Sequence, residues 1–403
     1  ATNAKAVGVS TFTTFDGFVD TKASISGLEG SEQGSLSGEI IIEGSATVST
    51  GTTFTSGPEN LTVTDNFTLP GISDDKPSAG TTRFNENLGA LEFYTGVEWR
   101  AVNSQVDMTG GGTRGFLSGG IIAPAAFSDI TWFNTTTQGK VQYFGQLTDD
   151  ACPDDSTGNS VRLLNAHGSK AGIVDIIDYV VMATEGNAVD FGNLTQSRCR
   201  KPSISSSTRG IWAGGKTPSV VNTIDYVEIM TTGNAIDFGD LNATKMGPMG
   251  ANSPTRGLIA GGYSSAHTKD MQKITISSIG NAIDFGDMTF TGGYGAACSN
   301  QTRALFAGGY DQTNSSKTDK ICSVIIASQG SAITFGELTF ARAWLWGAAT
   351  PTRGFFGGGI PTHNVIHYIS MQSGGQMVDF GDMTKGAYQT GAITNTHGGL
   401  GGF

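Results

Sequence analysis

One pattern recurs six times along the chain: TRGFLSGG at 113–120, a degraded VRLLNAHG at 161–168, TRGIWAGG at 208–215, TRGLIAGG at 255–262, TRALFAGG at 302–309 and TRGFFGGG at 352–359. Its arginines, Arg114, Arg162, Arg209, Arg256, Arg303 and Arg353, lie 48, 47, 47, 47 and 50 residues apart. A second marker travels with it, a Phe-Gly pair closing NAVDFGN (187–193), NAIDFGD (234–240 and 281–287), SAITFGE (331–337), QMVDFGD (376–382) and a worn KVQYFGQ (140–146). Gly145, Gly192, Gly239, Gly286 and Gly336 each precede the next arginine by 17 residues, whereas the segment from arginine to the following FG glycine varies between 28 and 33. So regular an interval commits the chain to stacking one small unit on the next, since a unit this short cannot bury its apolar faces alone.

The unit is built of strands. In AIDFGDL the apolar residues Ile236, Phe238 and Leu241 sit mainly on alternate positions, which predicts a strand with one face on a core. GLIAGG is a continuous apolar run closed by glycines and predicts a strand buried on both faces. TIDYVEIM (223–230) and KITISSI (273–279) predict a third strand followed by a Gly-Asn turn, and YGAACS (294–299) a fourth. Four short strands per unit of about 47 residues predict an all-β fold, a β-propeller; no unit holds a helical period long enough for an α-solenoid. Asp-Phe-Gly is also the magnesium-binding triplet of protein kinases, but no Gly-rich loop, Val-Ala-Ile-Lys or His-Arg-Asp segment accompanies it, so the repeated triplet is architectural.

The order of these elements over residues 110–385 resembles the kelch-type propellers, with Phe where kelch repeats carry Trp in the fourth strand. GAYQTGAITNTHGGLGGF (386–403) reads as a first and a second strand with His397 in the arginine's place, and LEFYTGVEWRAV (91–102) as a third and a fourth with Trp99 as the aromatic. Joining them predicts a seventh, composite blade that would leave no open sheet edge, with six blades as the alternative. The six arginines are expected to be structural, each reaching the polar residue after FG: Gln146, Asn193, Asp240, Asp287, Glu337 or Asp382.

Composition narrows the function. The net charge of −11 argues against nucleic acid as a partner, which needs a basic face. The chain has no apolar run of about 18 residues and no signal-peptide core, so neither membrane insertion nor export by that route is expected. Cys152, Cys199, Cys298 and Cys322 lack metal-type spacing and are expected as buried free thiols of a protein assembled in a reducing cytosol. The Asp pairs at 149–150 and 154–155 suit a solvated loop better than a calcium site. No sialidase Asp box or copper-oxidase Tyr/His/Cys set is present, so no catalytic residue, metal or cofactor is expected and the chain is not expected to be an enzyme.

Residues 36–70 alternate β-branched residues with Gly, Ser, Thr and Asn in pieces too short to bury a core in a single chain. GEIIIEGSATVSTGTTF (38–54) and ENLTVTDNF (59–67) resemble the β-structured shafts of bacteriophage fibres. KPSAGTTRFNENLGALEFYTGVEWRAV (76–102) resembles a module of phage, and particularly cyanophage, fibre proteins on Arg83-Phe84-Asn85, Glu92, Tyr94-x-Gly96 and Trp99. The resemblance implies a homotrimeric virion fibre or spike: an attachment segment at 1–35 that meets other virion proteins, a shaft at 36–72, a linker at 73–83 and a propeller head at 84–403. It implies assembly in the host cytoplasm and residence in the virion. The head would then meet a host-surface glycan or protein, or, as the alternative, only other virion proteins. Candidate binding residues are those of the variable loops after the second strand, Tyr263, His267, Tyr310, Asp311 and Asn314, with Trp344 and Trp346 near the channel mouth, since aromatic faces stack on sugar rings. Trp212, at a position otherwise Leu, Ile or Phe, is expected in the core.

Overall fold

The structure, a computed structural model, describes residues 80–85, 90–96, 99–101, 113–168, 172–311 and 316–400. The expected attachment segment and shaft lie outside these residues. The chain divides into two units, 1–103 and 104–403.

In the first unit, Thr82–Asn85, Ala90–Tyr94 and Trp99–Ala101 form a three-stranded antiparallel meander. The motif residues explain themselves there. The Arg83 guanidinium lies 3.8 Å from the Trp99 ring centroid, donates to Glu92 at 2.8 Å, and Tyr94 packs on Trp99 at 5.3 Å. The described residues 91–94 and 99–101 therefore belong to a sheet of their own, and the composite seventh blade does not form.

The second unit is a propeller of six blades, each a four-stranded antiparallel sheet, one of them extended by a short parallel strand. Blade 3 shows the plan from axis to rim: Ser203–Ser205, Arg209–Ala213, Thr223–Glu228 and Ile236–Asp240. The inner strands of the other blades are Ser156–Gly158 (blade 2), Met249–Asn252 (4), Ala296–Ser299 (5) and Ala343–Ala349 (6). Blade 1 takes its outer three strands, Arg114–Ile122, Ala125–Asn134 and Gln142–Ala151, from the start of the unit and its inner strand, Gly391–Thr394, from the end. Closure thus needs one strand from the carboxyl-terminal segment. The following Gly-Gly-Leu is not a second strand but a single 3-10 turn, Gly398–Leu400, held by His397 Nε2 3.0 Å from the Gly158 carbonyl.

Six cores lie between neighbouring blades. Phe238 and Leu241 of blade 3 pack against Ile259, Ile274 and Ile276 of blade 4, and Phe133 of blade 1 meets Phe355 and Phe380 of blade 6 at 5.4 and 5.8 Å to close the circle. Trp212 is fully buried as expected, and the four cysteines are buried and outside any disulfide. Ile236 departs from the expected pattern. The outer strand is bulged against its neighbour at this point, and Ile236 stands 58% exposed while Phe238 and Leu241 point inward.

The FG pair is the clasp between blades. The turn glycines Gly186, Gly233, Gly280, Gly330 and Gly139 donate to the carbonyls of Phe144, Phe191, Phe238, Phe285 and Phe380 in the preceding blade at 2.8–3.1 Å. Two residues on, Ala188, Ala235, Ala282, Ala332 and Val141 donate to the residue after FG, and at the fifth junction Gly336 and Glu337 bridge Gly375 and Gln376 instead. A side chain cannot stand at the FG glycine: at Gly239, with φ +141°, a Cβ would lie 2.6 Å from the Gly280 carbonyl oxygen.

The arginines tie the same junctions, but not as the sequence suggested. Each reaches a carbonyl at the end of the next blade's third strand: Arg114 to Met182, Arg162 to Ile229, Arg209 to Ile276, Arg256 to Ile326, Arg303 to Met371 and Arg353 to Thr135, at 2.6–3.1 Å. Five of them also lie over a ring of their own blade, Trp132, Tyr179, Tyr226, Phe335 and Tyr368, at 4.5–5.1 Å. The residue after FG serves through its backbone, which is why Gln146, Asn193, Asp240, Asp287, Glu337 and Asp382 are interchangeable there.

Two outcomes follow from this closure. Arg209→Met, which keeps the apolar stem and loses the charged donor, lowers stability in denaturant unfolding by about 1.5–3 kcal/mol. Truncation before Gly391 removes the inner strand of blade 1 and abolishes the cooperative unfolding transition, read by circular dichroism.

Candidate functional site

The segments that lead from one blade into the next place one residue each around the axis, on the face opposite the carboxyl-terminal turn. These residues are Asp154, Arg200, Gly247, Tyr294, Trp344 and Gln389, and all six adopt a left-handed conformation with φ between +55° and +66°. The five that are not glycine are all the non-glycine residues with positive φ among the described residues.

Their backbones form a hydrogen-bonded ring. Gly247 donates to the Arg200 carbonyl (2.7 Å), Tyr294 to Gly247 (2.7 Å), Trp344 to Tyr294 (2.6 Å) and Gln389 to Trp344 (3.1 Å). The Asp154 carboxylate closes the remaining gap, accepting from the Arg200 amide at 2.6 Å and from Gln389 Nε2 at 2.8 Å. Asp155 accepts from the amides of Ser203 and Ser156, both at 3.0 Å. The 154–155 pair is therefore neither a solvated loop nor free to hold calcium. Beneath the ring Lys201 is buried and donates to the carbonyls of Ala166, His167 and Arg198 at 3.1–3.2 Å. Burial pushes its ammonium pKa down, opposed chiefly by the charge of Asp154, whose own carboxyl burial pushes up.

Above the ring the side chains make an aromatic surface. Tyr294 and Trp344 stack at 4.2 Å, and the Arg200 guanidinium lies 5.7 and 5.4 Å from their centroids. Tyr310 meets Tyr294 at 6.1 Å and stacks on His267 at 6.1 Å, and His267 meets Tyr263 at 5.0 Å. The loops after the second and fourth strands thus share one face, and they bring Tyr263, His267, Tyr310 and Trp344 into one continuous patch. A small pocket of about 50 Å³ opens at the axis, lined by Arg200, Tyr294, Trp344 and Gln389 together with Asp154, Asp155 and Lys201.

Two of the expected binding residues stand elsewhere. Trp346 is in the core between blades 6 and 1, its Nε1 3.2 Å from Met383 Sδ. Asp311 is buried and accepts from Thr291 Oγ1 at 2.7 Å. Asn314 lies outside the described residues. Arg200 and Tyr294 were not foreseen, although a register signal existed: Arg200, Gly247, Tyr294 and Trp344 each stand nine residues before the next repeat's arginine. No protein-family model matches this sequence, and a search of curated proteins finds no match.

Burial pushes the Asp155 carboxyl up to about 7 from 3.8, over the opposing hydrogen bonds of Ser203 and Ser156. The folded state then keeps a proton between these values that the unfolded chain has lost, so this group stabilises at low pH and its contribution fades as pH rises toward about 7. Buried His397, pushed down from 6.5 to about 4, acts in the opposite sense: its contribution is lost as pH falls between those values. The paired comparison isolates Asp155: the stability of the parent relative to Asp155→Asn falls as pH climbs from about 4 to 7 and is flat above, in urea titrations at fixed ionic strength.

Proposed function

We propose that this chain is a virion fibre or spike protein whose propeller head recognises a host-surface glycan through the patch of Tyr294, Trp344 and Arg200, with Tyr263, His267 and Tyr310 extending it. The observation that carries the reading is strain without a structural use. The ring needs only backbone groups at four positions, and Gly247 meets that need with no side chain. Left-handed geometry costs a non-glycine residue about 1–3 kcal/mol, and glycine would relieve it. Asp154 and Gln389 use their side chains to close the ring, whereas Arg200, Tyr294 and Trp344 spread theirs over its outer surface. Stacked aromatic faces beside a guanidinium match the apolar faces and hydroxyls of a sugar ring. The fibre assignment, with its homotrimeric shaft, rests on the resemblance of residues 38–102 to phage fibre segments.

A second reading, a structural or decorating protein that touches only other virion proteins, draws on the rim. Val189, Ile236, Ile283, Ile333 and Val378 occupy equivalent outer-strand positions, Tyr143 stands one residue further on in blade 1, and all are 45–66% exposed, a band suited to a protein partner.

Glycan-array binding by the full chain, compared with Trp344→Gly and Tyr294→Gly, separates the two. The first reading expects parent binding reduced at least tenfold in both variants, with melting temperatures unchanged or raised. A parent that binds no glycan and does not adhere to host cells leaves the rim reading.

A further inference from the structure

Three segments entering the inner strands bury a basic residue two positions before the left-handed one: Arg198, Lys245 and Arg342. Two of these cations have a carboxylate. Arg198 Nη1 lies 2.7 Å from Asp225 Oδ2, and Lys245 Nζ lies 2.5 Å from Asp270 Oδ2. Arg342 has none. In blade 6 the residue in the register of Asp225 is His367: each is the third residue of its third strand, facing the fourth residue of the second strand and the second of the outer strand.

The Arg342 side chain is 0% exposed, and Nη1 donates to the Gly358 carbonyl at 3.2 Å. Nε and Nη2 have no partner, and neither does Nδ1 of buried His367. Nε–H and Nη2–H are the two parallel donors of one guanidinium edge, the fork that ordinarily grips a carboxylate. Both side chains flank Phe340, the guanidinium 4.8 Å and the imidazole 6.3 Å from its centroid. Burial pushes Arg342 down to about 10, and His367 is pushed down first by burial, then by the Arg342 charge and by His363, with Asp379 opposing. An unpaired buried cation is strongly unfavourable unless something neutralises it.

We propose that the free fork of Arg342, with His367 beside it, is a binding site for a small monovalent anion, a halide or a short carboxylate, that takes the place of the Asp225 carboxylate in blade 3. The anion supplies the negative charge that Asp225 gives blade 3 and that His367 does not give blade 6, and His367 Nδ1–H is available to donate to it. The site is independent of the aromatic patch and of the fibre assignment.

The test is the melting temperature of the full chain at constant ionic strength as sodium gluconate, whose anion is too large to be buried, is replaced by sodium chloride, bromide or acetate. The parent is expected to rise and saturate as single-site binding requires, and the acetate and halide arms distinguish a carboxylate from a halide site. His367→Asp restores an internal carboxylate and is expected to lose the dependence while melting no lower than the parent in gluconate. Arg342→Met loses it as well, and if that variant does not fold, His367→Asp still decides. Crystals grown in bromide are expected to carry an anomalous peak at the Arg342 fork. A parent indifferent to all three anions, a dependence that survives in His367→Asp, or a fork holding only water in bromide overturns the proposal.

Discussion

Every packed core of the propeller lies between two blades, so no blade is stable by itself and the free energy of the fold is a property of the closed ring. A ring of this kind has one weak point, the junction between its first and last repeats. Here Gly391–Thr394 enters blade 1 as its inner strand, Phe133 packs against Phe355 and Phe380, Arg353 reaches Thr135 and Gly139 reaches Phe380. The last junction carries the same clasp, tether and core as most of the others. No blade is left with an unpartnered flank, and the covalent chain need not close the circle.

The two markers divide the work of the junctions. The FG clasp is a backbone device and demands only that no side chain intrude, so the flanking residues drift among Asp, Asn, Gln and Glu. The arginine tether is a side-chain device, and a fixed spacing holds it because the fork must meet a carbonyl 67 to 70 residues further on for five of the six. Closer to the axis the repeats are freer, and charges diverge: blade 3 neutralises its buried Arg198 with Asp225, blade 4 uses Lys245 with Asp270, and blade 6 leaves Arg342 facing His367. Divergence accumulates where the inter-blade clasps do not constrain it. The left-handed ring is the sharpest case, with one glycine and five different side chains on a single backbone geometry.

Much of the architecture was legible before any coordinates. The fixed interval from the FG glycines to Arg162, Arg209, Arg256, Arg303 and Arg353 identified the unit, and the strand-sized apolar runs identified a propeller, because both reflect local spacing. Tyr263, His267 and Tyr310 could be singled out as ring-bearing residues in segments of variable length, and Trp344 as one near the channel mouth. Trp344 and Trp346 were not separable, since one flips outward only because its backbone takes a left-handed turn that the sequence of AWLW does not announce. Arg200 and Tyr294 were missed because their nearness to Trp344 is created by blades 3, 5 and 6 converging on the axis.

What the sequence determined by itself was periodic: the repeat, its strands and the residues that each repeat needs, since these follow from spacing along one chain. What only the tertiary structure decided was circular: six blades instead of seven, the arginines' true acceptors, the ring at the axis and the uncompensated Arg342. Each of these depends on which repeat stands beside which, and on the sign and reach of groups some 16 to 280 residues apart that only closure brings together.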